Sequence, residues 1–298
     1  MRIGCVYNIN DMGMSGVHWT NNAYRFFRRG LLETGLAEVD LLPVETDVRA
    51  RRLEGYDVLI FYSLENLEPI GLNQLSCLKV VRAPDAHNIN DRWMAKAAGF
   101  DLVINHQTPE YVRRFLPDEF RYEQIIFGID KETHKSPLWS NRKADKILLT
   151  GVLGRPEHYR LRKFCKGVYG VTYVGKGAGY VGNAYAELLG MYRTAIAACS
   201  TTSVYKYFEI PACGALSFME VNEQNGCDNL GFIDGENAVF INRKNYRERL
   251  TEYRKTRDNP KWQRIAENGR RLVLERYENR VQGKKLIELI EEMACVYK

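Results

Sequence analysis

No stretch of this sequence stays apolar for the roughly 20 residues that a membrane-spanning helix needs. The opening residues, Met1-Arg2-Ile3-Gly4-Cys5-Val6-Tyr7, read as a strand and lack a secretory-signal pattern, so a cytoplasmic location, or the inner face of a membrane, is the expectation. The seven cysteines (5, 77, 165, 199, 213, 227 and 295) include no CxxC spacing and lie scattered through apolar segments. That excludes a disulfide framework or zinc site as the first reading and points to buried thiols. Five histidines (18, 87, 106, 134 and 158) are equally dispersed, so no structural metal is expected. There is no Asp-x-Asp pair, no long run of basic residues, no repeat of solenoid length and no low-complexity segment. Gly13, Ser15 and Gly16 follow the first strand without forming GxGxxG, which removes the dinucleotide fingerprint.

What the chain does have is ordinary globular composition: 298 residues, 45% hydrophobic and 27% charged, enough for two domains. A net charge of +6 suits phosphorylated ligands, an anionic acceptor or an acidic membrane surface. Apolar strand-like runs recur between helical patterns: Val39 to Val44, Tyr56 to Tyr62, Leu78 to Ala83, Phe100 to Asn105 and Gln124 to Gly128. Helices are expected over about 19–33, ended by Gly35, and over 90–98. A polar segment from Lys135 to Asp145 reads as a linker, and a second alternating series opens with Lys146 to Val152. From about Tyr246 onward the pattern is helical, and 281–296 is amphipathic. Strands alternating with helices imply doubly wound parallel sheets, with ligand loops at the strand C-termini.

The most informative stretch is Ser203 to Phe218. Lys206 and Glu209 sit three residues apart and share a face if the segment is helical. A small-residue turn, Pro211-Ala212-Cys213-Gly214, then leads into an apolar strand. A helix start with a cation suits a phosphate, and a carboxylate can accept from sugar hydroxyls. These residues therefore suggest a nucleoside-diphosphate site; the alternative is a surface ion pair on an amphipathic helix.

Lys206-Tyr-Phe-Glu209-Ile-Pro-Ala-Cys-Gly214-Ala resembles the K-x-F-E-x-x-A-x-G-A signature of CgeB-like glycosyltransferases, relatives of the group 1 nucleotide-sugar transferases. Leu148-Leu149-Thr150-Gly151 followed by His158-Tyr159-Arg160-Leu161-Arg162 is similar to the strand-Gly and YPLR segments of that family. Phe232-Ile233-Asp234-Gly235-Glu236-Asn237-Ala238-Val239 and Ile265 to Arg270 match in order as well. The resemblance implies an α/β chain of GT-B architecture: two Rossmann-like domains with parallel sheets facing across a cleft. It places an acceptor-side domain at 1–138, a nucleotide-sugar domain at 146–280, and a helix at 281–298 returning to the first domain.

It also implies roles. Lys206 and one of Arg155, Arg160 or Arg162 would contact the diphosphate, Arg162 being preferred as the last residue of its segment. Glu209 would hold the ribose hydroxyls beside Tyr205, Ser15 and Gly16 would let their loop approach the donor phosphate or the acceptor, and Gly214 would either let the backbone pass close to the donor or tighten a helix–strand turn. Many group 1 relatives carry a further acid eight positions before that glutamate; here the position is Thr201. Asp85 and His87, after the Val80–Ala83 strand, are the expected catalytic or sugar-contacting pair, while His18, His106 and His134 are expected to be structural. The implied reaction is metal-independent, retaining glycosyl transfer from a nucleotide-diphosphate sugar, UDP- or GDP-linked, with no other cofactor. The acceptor is an open choice among a glycan, a lipid-linked saccharide, a protein and a modified nucleic acid. Peripheral membrane contact would use Arg25, Arg28 and Arg29, and no stable protein partner is expected. A sugar-nucleotide epimerase and a non-catalytic binding protein of the same fold are the alternatives.

Overall fold

The computed structural model describes residues 1–8, 25–44, 47–64, 67–175, 178–180 and 182–296. The expectations for Gly13, Ser15, Gly16 and His18 fall outside them. The chain forms two compact units, Met1–Gly128 with Glu278–Lys298, and Ile129–Tyr277.

The first unit is built on a six-stranded sheet of β1 (Arg2–Asn8), β2 (Glu38–Val44), β4 (Val58–Phe61), β6 (Leu78–Arg82), β7 (Leu102–Asn105) and β8 (Tyr122–Gln124). Their spatial order is β2-β1-β4-β6-β7-β8, with every pairing parallel. Two short strands, β3 (Asp47–Arg49) and β5 (Glu68–Ile70), pair separately. Every residue of β4, β6 and β7 is buried, as a sheet covered on both faces requires. Helix α1 (Asp91–Ala97) starts where the Asn90 side chain accepts from the Trp93 N–H at 3.0 Å, and α2 (Pro109–Val112) has proline at its first position. The helix expected at 19–33 is described from residue 25, and over Phe26–Leu31 it takes the wider π winding before Gly35 closes it at φ 68°. Both Phe26 and Phe27 are buried there, edge-on to Phe127 and Tyr62.

The second unit repeats the scheme with β9 (Lys143–Thr150), β10 (Val171–Val174), β11 (Tyr192–Ala197), β12 (Leu216–Glu220) and β13 (Val239–Ile241). Their order is β10-β9-β11-β12-β13, all parallel. Helices α3 (Pro156–Lys166), α4 (Gly182–Gly190), α5 (Lys206–Ala212), α6 (Tyr246–Lys255) and α7 (Lys261–Tyr277) accompany them. Ile147, Leu149, Leu161, Ile196, Phe218, Tyr253 and Trp262 belong to one continuous core.

The segment expected to be a linker is part of this unit. Buried Arg142 donates to Ser136 Oγ (2.9 Å), to Pro137 O (2.9 Å) and to Cys213 O (2.8 Å), so residues 136–142 are tied to the end of α5. The division between units therefore falls after Gly128, and β9 already begins at Lys143. All seven cysteines are free, five of them buried. Among the described residues no helix is long and apolar enough to cross a membrane.

The last helix, α8 (Asn279–Val296), belongs to the first unit. It explains why the strand expected at 124–128 stops at Gln124. The N–H of Ile126 donates to Gln282 Oε1 (2.8 Å) and that of Gly128 to Asn279 Oδ1 (2.9 Å), so these amides are spent on α8 side chains instead of a ladder.

Candidate functional site

In a doubly wound sheet, a crevice opens at the strand C-termini where consecutive crossovers leave one strand in opposite directions. In the second unit that strand is β9, flanked by β10 on one side and β11 on the other. Two loops meet at the crevice: the one after β9, beginning at Gly151, and the one after β11, running from Ala198 into α5.

Arg162 ties them together. It is 2% exposed, and its Nε donates to Ala198 O at 2.6 Å while Nη1 reaches Val152 O at 3.4 Å. The Tyr159 ring lies 3.8 Å from its guanidinium carbon, a close cation–π contact. A second tie joins α3 to the same loop: His158 Nδ1 and Thr201 Oγ1 are 2.7 Å apart, and the Ser200 N–H donates to His158 O at 2.8 Å.

Gly151 shows what these ties assemble. Its φ is +97°, a conformation that L side chains rarely adopt. A Cβ built on it would lie 3.2 Å from Arg162 Nη1 and 3.3 Å from Lys206 Nζ. Two cations from different helices thus flank one bare stretch of backbone at the sheet's C-terminal edge. Lys206 also lies over the Tyr185 ring at 5.6 Å, and the Tyr185 hydroxyl is 2.8 Å from Thr150 Oγ1. Burial, and next the charge of Arg162, pull the Lys206 ammonium down to about 8, with Glu209 opposing the shift. Bringing like charges together in a buried place is costly, and an anion between them would offset that cost.

Glu209 is 1% exposed, one turn along α5 from Lys206. Helix α5 has only seven residues, so the charge for an anion comes from the two side chains rather than from a long helix dipole. Tyr205 immediately precedes the helix, and its carbonyl accepts the Glu209 N–H at 2.9 Å. Arg155, where α3 begins, holds a left-handed conformation (φ 61°), the one non-glycine residue at positive φ among those described. Such backbone strain is characteristic of functional loops. Arg160 is exposed on the same helix.

Gly214 has a different place. It lies at the C-terminal end of α5, away from Lys206, with φ +70°. A Cβ there would run into Ser136 Oγ and come within 2.9 Å of Arg142 Nη2. Of the two roles open to it, the helix–strand turn is the one its surroundings explain. Asp85 and His87 lie in the first unit, in a turn directly after β6. Buried Asn105 donates to Ala83 O and Pro84 O, and Gln107 accepts the Ala86 N–H at 2.6 Å, so the turn is held firmly. His106 and His134 are buried, the latter with Nδ1 2.9 Å from Asp130 O.

Sequence reasoning passed over Glu220. It ends β12, is 5% exposed, and accepts from Ser200 Oγ at 3.1 Å. Burial pushes its carboxyl up to about 7, opposed by Ser200 and by Arg162. An acid closing an otherwise apolar buried strand was a legible signal. Tyr185 carried none, since its position depends on how α4 packs.

No protein-family profile matches the sequence, and comparison with curated proteins gives no match. Among solved structures, sucrose-phosphate synthase of Thermosynechococcus elongatus is 12% identical with a TM-score of 0.62, over 99% of this chain and 100% of that one. HepE of Anabaena in complex with UDP and glucose is 12% identical with a TM-score of 0.60, over 98% and 100%. An alpha-glucosyltransferase in complex with UDP and a 13-mer DNA containing a central A:G mismatch is 13% identical with a TM-score of 0.65, over 98% and 99%. The chain has the GT-B fold, two Rossmann-like α/β units on parallel sheets.

Proposed function

We propose that this chain is a glycosyltransferase of the CgeB-like branch, moving a sugar from a nucleotide-diphosphate donor to an acceptor hydroxyl. The observation that carries the reading is the convergence of Arg162 and Lys206 on Gly151 at the switch point of the second sheet. When the glycosidic bond to the diphosphate breaks, the leaving group gains negative charge. Two cations fixed beforehand, in surroundings drier than water, stabilise that charge more than they stabilise the intact donor. On this reading they supply what a metal ion would otherwise supply. Glu209, buried on the same short helix, takes the ribose hydroxyls, each of which can donate to a carboxylate oxygen. Arg155 and Tyr205 border the same two loops. Uridine diphosphate is the donor nucleotide we favour, because HepE and the alpha-glucosyltransferase are both complexes with UDP.

We assign the acceptor side to the first unit. His87 with Asp85 is the candidate for receiving the hydroxyl proton as the new bond to the sugar forms. Retention of configuration rests on the sequence resemblance.

The test is a thermal-shift screen of UDP, GDP and their glucose conjugates on the wild-type protein and on Glu209→Ala and Lys206→Met. We expect one nucleotide to raise the wild-type Tm by several degrees, with most of the shift lost in each variant. If no nucleotide stabilises the wild type, the donor site is refuted. Release of nucleoside diphosphate only when acceptor is supplied separates transfer from epimerisation of the donor alone.

A further inference from the structure

Along α3, α6 and the segments beside them, the second unit carries a band in which cations and aromatic rings alternate. Arg243 lies over the Phe164 ring at 5.4 Å, and Phe164 packs beside Tyr246 with centroids 6.2 Å apart. Arg247 sits over Tyr246 at 5.7 Å and donates to its hydroxyl at 2.9 Å. Further along, Lys166 lies over Tyr173 at 4.7 Å and Arg254 over Tyr169 at 4.4 Å. Lys163 is exposed one residue before Phe164. Phe164 is 37% exposed and Tyr169 80%, unusual for large aromatics that no core claims.

The arrangement is not a generic charged face. Arg247 and Arg254 are seven residues apart and share one flank of α6. Arg249 and Glu252, on its other flank, form salt bridges with Asp234 and Lys261. None of Lys163, Lys166, Arg243, Arg247 and Arg254 forms an ion pair with a carboxylate among the described residues. Arg249 and Glu252 are thus engaged on one side of the helix, and Arg247 and Arg254 lie on the side that carries the rings. Five charges without a carboxylate partner, Arg243 just before α6, Arg247 and Arg254 along it, and Lys163 and Lys166 towards the end of α3, call for a polyanion. The exposed ring faces call for flat groups on it.

We infer that this band docks a single-stranded nucleic acid, phosphates on the five cations and bases stacked on Tyr169 and Phe164. Sequence-tolerant binding of single strands combines these two elements. Tyr169 lies just before β10 and Arg254 at the C-terminal end of α6, while Tyr173 donates its hydroxyl to Gly151 O at 2.8 Å, so the band runs from the start of β10 up to the loop that begins at Gly151. The inference does not rest on the glycosyltransferase reading.

The probe is a fluorescein-labelled 20-mer oligothymidylate, followed by anisotropy from 50 to 400 mM NaCl. Five phosphate contacts predict that log K falls with log salt at a slope of about −3.5. The triple variant Arg243→Ser, Arg247→Ser, Arg254→Ser should flatten the slope to about −1.4, with unchanged circular dichroism. Tyr169→Ala should weaken binding about tenfold, and Tyr169→Phe should not. Absence of binding at 50 mM salt overturns the inference, as does a wild-type slope in the triple variant. Equal affinity for labelled heparin with no effect of Tyr169→Ala also overturns it, because the surface then reads charge alone.

Discussion

At the scale of single residues, the feature that decides most is Lys206. An ammonium held near pH 8 is charged at neutral pH but close to losing its proton, and its neighbour Arg162 is the second cause of that. A bound diphosphate favours the charged form, so the bound complex keeps the proton to higher pH than the free protein. Affinity for UDP should therefore be level from pH 7 to about 8 and then fall, by up to about tenfold for each further pH unit. Calorimetric titration from pH 7, above the last phosphate ionisation, measures this directly. Lys206→Met should bind weakly with no inflection near 8. A wild-type affinity that stays level to pH 9.5 would remove Lys206 from the phosphate contacts. Gly151 and Gly214 make the complementary point: both have positive φ, but one leaves room beside two cations and the other beside Ser136 and Arg142.

At the scale of elements, the loop between β11 and α5 is the part whose position the site depends on. It is held from α3 by Arg162 and His158, and from β12 by Glu220 through Ser200. Glu220 makes that hold depend on pH. Its folded carboxyl titrates near 7 against 4.5 for an unperturbed one, so the native state binds the proton more tightly. The associated stability is fully present below pH 4.5 and is lost as pH rises through about 7, amounting to about 3 kcal/mol at most. Glu220→Gln should remove this decline. Urea unfolding at pH 5 and pH 8 checks it: a wild-type difference that persists in Glu220→Gln assigns the decline to other groups.

At the scale of the whole molecule, two sheets are completed by different means. The second unit closes with helices that follow it in sequence, α6 and α7. The first takes its last helix from the far end of the chain. There Gly283 and Gly30 meet backbone to backbone, since a Cβ on Gly283 would collide with Gly30 O, and one on Gly30 would lie 2.7 Å from Asn279 O. Leu286, Ile287, Ile290 and Met293 are buried in the same helix. Gly283→Ala should force α8 outward and destabilise the first unit by about 2 kcal/mol or more. Hydrogen exchange should then quicken in β1 and β4, while the UDP-induced thermal shift of the second unit remains. Unchanged protection of β1 would show that the contact is not tight.

By itself the sequence determined the alternation of strands and helices, because buried parallel strands read as continuous apolar runs whatever surrounds them. It also marked out Ser203–Phe218, where a lysine, a glutamate and a small-residue turn fall within one short segment. Preferring Arg162 over Arg155 and Arg160 as the diphosphate contact rested on motif alone; in the fold its guanidinium bridges the loops after β9 and β11, which no motif announces. Only the tertiary structure decided where the units divide. The polar residues of 135–145 read as a linker, yet Arg142 finds carbonyls and a hydroxyl that no local pattern announces. It also decided which groups feel one another. Tyr185 and Gly151 are far from Lys206 in sequence and come near it through the strand order, as Glu220 comes to feel the charge of Arg162, and burial and charge act through space rather than along the chain.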